Sequence, residues 1–127
     1  MGKGYLIDTN AVIDYLENKL PDNASSFIDD LLIQISVVSR IELLAWPNIS
    51  KEQLTLLNGF INASDILLLS EAVILKTIEL KKKYRIKLPD AIIAATAIVN
   101  DLNLLTRNIS DFEKIDGLVN TNPYKMK

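Results

Sequence analysis

The chain has 127 residues, 49% of them apolar, and a net charge of −2; domains commonly run to about 100–150 residues, so one domain over 1–127 is expected. It contains neither cysteine nor histidine, which excludes disulfides, thiolate nucleophiles, zinc–histidine sites and every catalytic scheme that needs an imidazole. No apolar run approaches the ~20 residues of a membrane helix, and the start lacks a signal peptide's apolar segment, so no membrane association and a cytoplasmic location are expected.

In chain order, Met1 to Tyr5 leads directly into Tyr5-Leu6-Ile7, a short apolar run that stops at the polar turn Asp8-Thr9-Asn10, the pattern of a buried strand. A helix is predicted from Ala11 to Leu20, closed by Pro21, and a second from Asn23 to Leu32. The short β-branched stretch from Ile35 to Val38 predicts strand two. Ser39 and Glu42 have the spacing of a capping box opening a brief helix that Pro47 ends, and Ser50 with Gln53 repeats the pattern for a helix reaching Asn62. A third strand is predicted from Asp65 to Leu69. Ser70 then caps a long helix whose exposed face carries Glu79 and Lys83 in the favourable order. Leu88-Pro89-Asp90 starts another helix, Asp90 to Asn100, that is apolar nearly all round, and therefore buried. Leu104 to Thr106 reads as strand four and Leu118-Val119 as a weak fifth. Short apolar strands alternating with helices argue for an α/β fold with a parallel sheet covered on both faces.

In such sheets ligands bind beyond the carboxyl ends of the strands. Asp8, Thr9 and Asn10 follow strand one; Ser39 and Glu42 follow strand two; Thr106, Asn108 and Asp111 follow strand four; Asp90 opens the helix before it. Each acid has an ordinary explanation alone. Asp8 suits a cap or turn, Glu42 a capping box, Asp90 the positive end of a helix dipole, and Asp111 an Asx turn. Four independent capping roles, however, have no reason to converge on one edge. Converging carboxylates repel and partly neutralise unless a cation sits among them. All-oxygen ligation suits Mg²⁺ or Mn²⁺, and such an ion activates water and offsets phosphate charge without histidine. The acid set therefore points towards phosphodiester hydrolysis.

At this point a family resemblance is plain. Leu6-Ile7-Asp8-Thr9-Asn10-Ala11-Val12-Ile13, Ser39-Arg40-Ile41-Glu42-Leu43, Leu88-Pro89-Asp90-Ala91-Ile92-Ile93-Ala94-Ala95-Thr96-Ala97 and Leu105-Thr106-Arg107-Asn108-Ile109-Ser110-Asp111-Phe112 resemble the four motifs of PIN domains, in family order and across nearly the whole chain. The resemblance is to the VapC-like toxins of bacterial toxin–antitoxin pairs. It implies a three-layer α/β/α fold with a central parallel sheet of four or five strands, order 3-2-1-4-5, and Mg²⁺- or Mn²⁺-dependent endoribonuclease activity. It makes Asp8, Glu42 and Asp90 the principal acidic, metal-holding site. For the fourth place, Asp111 is preferred because position 108 carries a neutral amide, with Asn108 a weak ligand or water contact. Asn10, Ser39, Thr106 and Arg107 would support the acids or the substrate, and Arg40, Lys87 and Arg107 are candidates to reach RNA phosphates. A homodimer and a separately encoded antitoxin are implied as well.

The basic run Lys81, Lys82, Lys83, Arg85 and Lys87 reads on composition as a solvated face, although an acidic enzyme can still bind RNA through a basic rim. Trp46 and Pro47 suit either an antitoxin groove or dimer interface, or a helix end packed into the core. A haloacid-dehalogenase phosphatase would need an acid where Asn10 stands. A phosphoreceiver would need an Asp after strand three, where Ser70 and Glu71 stand. The rival of another class is a PIN-like module that has lost catalysis and only binds RNA or a protein.

Overall fold

The computed structural model describes residues 4–126; the expected lead-in from Met1 lies largely outside them. Five parallel strands form one sheet in the order β3-β2-β1-β4-β5: β1 Tyr5–Ile7, β2 Gln34–Ser36, β3 Asp65–Leu67, β4 Asn103–Leu105 and β5 Asn120–Thr121. The helices between them are α1 Thr9–Leu16, α2 Asp22–Asp29, α3 Val37–Leu44, α4 Lys51–Asn62, α5 Glu71–Lys83, α6 Leu88–Val99 and the single turn α7 Ile109–Phe112. The sheet order and class are those the resemblance implies.

Alternation along the strands sorts the helices into two layers. Leu6 and Leu104 face a core shared with Val73 and Leu80 of α5, Ala91, Ala94 and Ala95 of α6, and Phe112. Ile7, Ile35 and Leu105 face the opposite core, built with Ala11 and Val12 of α1, Ile28, Leu43, Leu57 and Ile61. The small alanines of α6 let it lie close to the sheet, as its all-round apolar character predicts, although Leu88 and Val99 at its ends are exposed.

Several boundaries differ from the sequence expectation for identifiable reasons. Helix α1 begins at Thr9 under Asp8 and stops at Leu16. The stop is a Schellman closure, with Asn18 left-handed at φ 58° and the N–H groups of Asn18 and Lys19 donating to the carbonyls of Tyr15 and Asp14 at 3.2 and 2.9 Å. Pro21 therefore precedes α2 instead of closing α1. The capping box at Ser39 and Glu42 is not formed. Ser36 caps α3 three residues earlier, its hydroxyl accepting from the Val38 N–H at 3.1 Å, so β-branched Val37 and Val38 are drawn into the helix. The Ser50–Gln53 box is present in both directions. Glu79 pairs with Lys76, while Lys83 reaches Asp116 at 3.2 Å, so the expected Glu79–Lys83 pair is replaced. The fifth strand lies at Asn120–Thr121: Leu118 closes a turn onto Ile115, and Val119 contributes only its carbonyl, which accepts from Leu104 N–H at 2.8 Å. Neither Trp46 nor Pro47 belongs to either apolar core, so the helix-end-in-core reading does not hold.

Candidate active site

The carboxyl end of the sheet is where β1, β2 and β4 hand over to α1, α3 and the segment leading to α7. Asp8 stands first after β1, and its own N–H donates to the Leu105 carbonyl at 3.0 Å, stitching it to the end of β4. Its side chain is only 4% exposed. One carboxylate oxygen accepts from Thr9 N–H at 2.8 Å. The other accepts from the Thr106 hydroxyl at 2.8 Å and from the Asn10 amide at 3.2 Å. Burial pushes the Asp8 carboxyl up from 3.8 to about 6; the bonds from Thr106 and Thr9 oppose the rise, and the charges of Asp90 and Glu42 add to it.

Glu42 lies on α3, with Ser36 as that helix's cap, so no capping role holds it. Its Oε1 lies 2.6 Å from Thr9 Oγ1, which in turn lies 2.9 Å from the buried Ser39 Oγ. A hydroxyl carries one hydrogen: Thr9 donates it to the carboxylate and receives that of Ser39. Asp90, in the first turn of α6 behind Pro89, has its carboxyl raised by burial, then by Asp111 and Glu42, with Lys87 opposing. Asp111 lines the same cleft of about 200 Å³ as Asp90, together with Arg85, Lys87 and Lys114. Asn108 is less involved; its N–H donates to Thr106 Oγ1 at 3.0 Å.

The four expected acids are thus linked electrostatically, with Glu42 and Asp90 both acting on Asp8, and Asp111 and Glu42 acting on Asp90. Among the described residues none of the four forms a salt bridge, and no three acidic side chains stand close enough to grip one ion directly. That donor set fits a hard, well-hydrated ion, which takes one or two carboxylates and keeps several waters. Asp8 would be the inner ligand, with Asp90, Glu42 and Asp111 supplying negative charge or water contacts.

Arg107, a candidate to support the acids or reach substrate, lays its guanidinium on Asp14, at 3.0 and 3.2 Å from the two carboxylate oxygens. Arg40 and Lys87 are exposed on α3 and before α6. Four participants escape a motif reading. Thr9 sits inside the Asp-Thr-Asn turn but gave no sign of reaching Glu42. Asp14, Arg85 and Lys114 lie outside the motifs. Only the basic run hinted at one of them, Arg85.

A family model, PIN domain, matches residues 5–118, and the chain belongs to that family of nucleases. No curated protein matches it significantly. Solved structures do. A toxin–antitoxin complex chain from Klebsiella pneumoniae is 29% identical with a TM-score of 0.76, covering 97% of this chain and 100% of its own. DNA-bound VapBC from Salmonella typhimurium is 25% identical with a TM-score of 0.80, covering 94% and 98%. VapBC-1 from nontypeable Haemophilus influenzae, at 23% identity and a TM-score of 0.77 over 95% and 98%, shares the fold. Among the described residues no helix is long and apolar enough to cross a membrane.

Proposed function

We propose that the chain is a Mg²⁺- or Mn²⁺-dependent endoribonuclease, the toxin half of a VapBC-like pair, working as a cytoplasmic homodimer until its antitoxin covers the site. The observation that carries the reading is the buried Asp8, which has Glu42 and Asp90 within electrostatic reach and no basic residue as its salt-bridge partner among the described residues. Capping α1 does not require such an arrangement, because asparagine would cap as well and ionising a buried acid beside like charges costs stability. The arrangement becomes useful when a cation occupies it.

Asp8 would hold the ion, with Asp90 supporting it by charge or through water, and the ion would supply an activated water and offset charge on the scissile phosphate. The chain's own groups do the rest. Thr106 and Asn10 fix the Asp8 carboxylate by bonds at 2.8 and 3.2 Å, so it needs no reorganisation when a ligand arrives. Thr9 holds Glu42 at the edge of the site, where an exposed carboxylate can take a proton. Arg85, Lys87 and Lys114 share the cleft with Asp90 and Asp111, a cationic wall suited to neighbouring RNA phosphates. Lys81 and Lys83 are engaged elsewhere, with the Ile86 carbonyl and Asp116.

The antitoxin partner is proposed from the relatives, two of them VapBC and one a toxin–antitoxin complex. The homodimer is supported by an apolar groove of about 250 Å³ between α5 and α6, lined by Leu69, Ile74, Ile78, Leu88 and Ile92. Leu69, Ile78 and Leu88 in it are 46–54% exposed, and contiguous apolar surface of this kind commonly marks an interface. The test is RNA cleavage by wild type and Asp8→Asn with and without Mn²⁺. Cleavage only by wild type, and only with the ion, is expected. Cleavage without metal, or equal cleavage by both proteins, counts against the mechanism. No cleavage by either favours a binding module.

A further inference from the structure

The buried acid that the proposed reaction leaves unused is Asp14, 2% exposed in the second turn of α1. Its carboxylate accepts from the Arg107 guanidinium at 3.0 and 3.2 Å and from the Tyr124 hydroxyl at 3.0 Å. Arg107 is gripped a second time by the same helix: its main-chain N–H donates to Asn10 Oδ1 at 3.2 Å. Asn10 and Asp14 are four residues apart, on one face of α1. The other end of the Asn10 amide donates to Asp8 Oδ2, the oxygen that also takes the Thr106 hydroxyl. Thr106 and Arg107 are therefore pinned to α1 at three points, and they begin the segment that carries Asn108 and Asp111 into the site.

We infer that Asp14 is a positioning residue: by anchoring Arg107, with Tyr124 of the C-terminal turn Pro123–Lys125 as a second clasp, it fixes the segment after β4 and, through the Asn10 amide, orients the Asp8 carboxylate. This assigns Arg107 to holding the site together instead of contacting RNA. The guanidinium is half exposed while its acid is buried, so the charge that needs the pair is Asp14, and the pair cannot be given up to a phosphate without stranding a buried carboxylate. The C-terminal turn is held independently by Asn23, whose amide donates to the Met126 carbonyl at 2.7 Å; this keeps Tyr124 over Asp14. The consequence for catalysis rests on the nuclease reading above, whereas the positioning itself does not.

The experiment is therefore read first on the metal-free protein by NMR. In Asp14→Asn the Arg107 main-chain amide should exchange about tenfold faster, and the two Asn10 side-chain amide protons should exchange faster and move towards the shifts of a free asparagine. With RNA and Mn²⁺, kcat should drop by about tenfold or more while KM stays within about twofold, as misplacing a reacting group does. Tyr124→Phe should move both readouts the same way by less, and it keeps the ion pair should Asp14→Asn fail to fold. Arg107→Lys should restore part of what Arg107→Ala loses. Unchanged exchange at Arg107 and Asn10 would overturn the inference, whether or not the protein cleaves RNA. So would a rise in KM with kcat unmoved in Arg107→Ala, which would make Arg107 a phosphate contact. Loss of activity merely in proportion to unfolded protein would reduce Asp14 to a stabilising ion pair.

Discussion

Replacing Asp8 by asparagine gives results of opposite sign for the two roles that residue can have. As the cap of α1 it is nearly interchangeable with asparagine, which accepts from the same first-turn N–H. As a buried acid whose carboxyl is raised from 3.8 to about 6, it costs the ionised folded state about 3 kcal/mol at ~1.4 kcal/mol per tenfold. The folded carboxyl holds its proton more tightly than the unfolded one. Wild-type stability from this group is thus full below about pH 4, falls as pH rises to about 6, and is level above. Asparagine carries no such loss. Its amide does require Thr106 to turn its hydroxyl and loses the bond from the Asn10 amide, together at roughly 1–2 kcal/mol. In EDTA at pH 8, Asp8→Asn should be more stable than wild type by about 1–2 kcal/mol, and at pH 4 the difference should vanish or change sign. Urea unfolding followed through the single tryptophan, Trp46, measures this. Mn²⁺ at 100 times its Kd should then add about 2.7 kcal/mol to wild type alone and reverse the order. A variant less stable than wild type at pH 8 without metal, or equal stabilisation of both by Mn²⁺, would refute the reasoning.

Asp90→Asn should lower RNA cleavage by about a thousandfold while changing stability by under about 1 kcal/mol, the worth of a charge in a helix's first turn; circular dichroism showing an unfolded variant would make Asp90 chiefly structural. Thr9→Val keeps the side chain's shape but strands the buried Ser39 hydroxyl and frees Glu42. A stability loss of about 1–3 kcal/mol with slower cleavage is expected in chemical denaturation and kinetics, and wild-type rates would remove Thr9 from the site. Arg85→Ala and Lys114→Ala, made in the Asp90→Asn background, should each weaken RNA binding and reduce its salt dependence by about one charge, with an unaltered melting temperature. Ile78→Asp should give a monomer in sedimentation if the groove between α5 and α6 joins two copies, and an unchanged mass would exclude that face.

The first four strands were legible as short apolar runs bounded by polar residues, and the sheet order came with the resemblance that the four motifs carry. What was hidden depended on partners remote in sequence. Asn120 and Thr121 are polar and form a strand only because β4 offers Leu104 and Leu105 as an edge. Ser36 and Ser39 have equal local claims to cap α3. The parallel pairing of Ser36 with Leu67 ends the strand there, and that decides for Ser36. The acids could be found because strand ends mark where ligands bind in such sheets. The pairing of Arg107 with Asp14 joins positions 93 residues apart, and no local pattern distinguishes that aspartate from any other helix residue.

The cap at Ser36 also changes the weight carried by each acid. With α3 already capped, Glu42 is released from its ordinary explanation, and its hydrogen bond is to Thr9, beside Asp8. The Asp90 side chain accepts no hydrogen bond among the described residues; it is placed only by its position in the first turn of α6. Asp8 differs, because the fold uses one carboxylate oxygen for the cap and buries the other against Thr106 and Asn10. Those three bonds lower the cost of a charge that burial and two neighbouring acids raise, so the fold can retain the acid at the price of a carboxyl near 6. Substituting Asp90 should therefore separate chemistry from folding cleanly, whereas substituting Asp8 alters both, and with opposite signs in the absence and presence of a divalent ion.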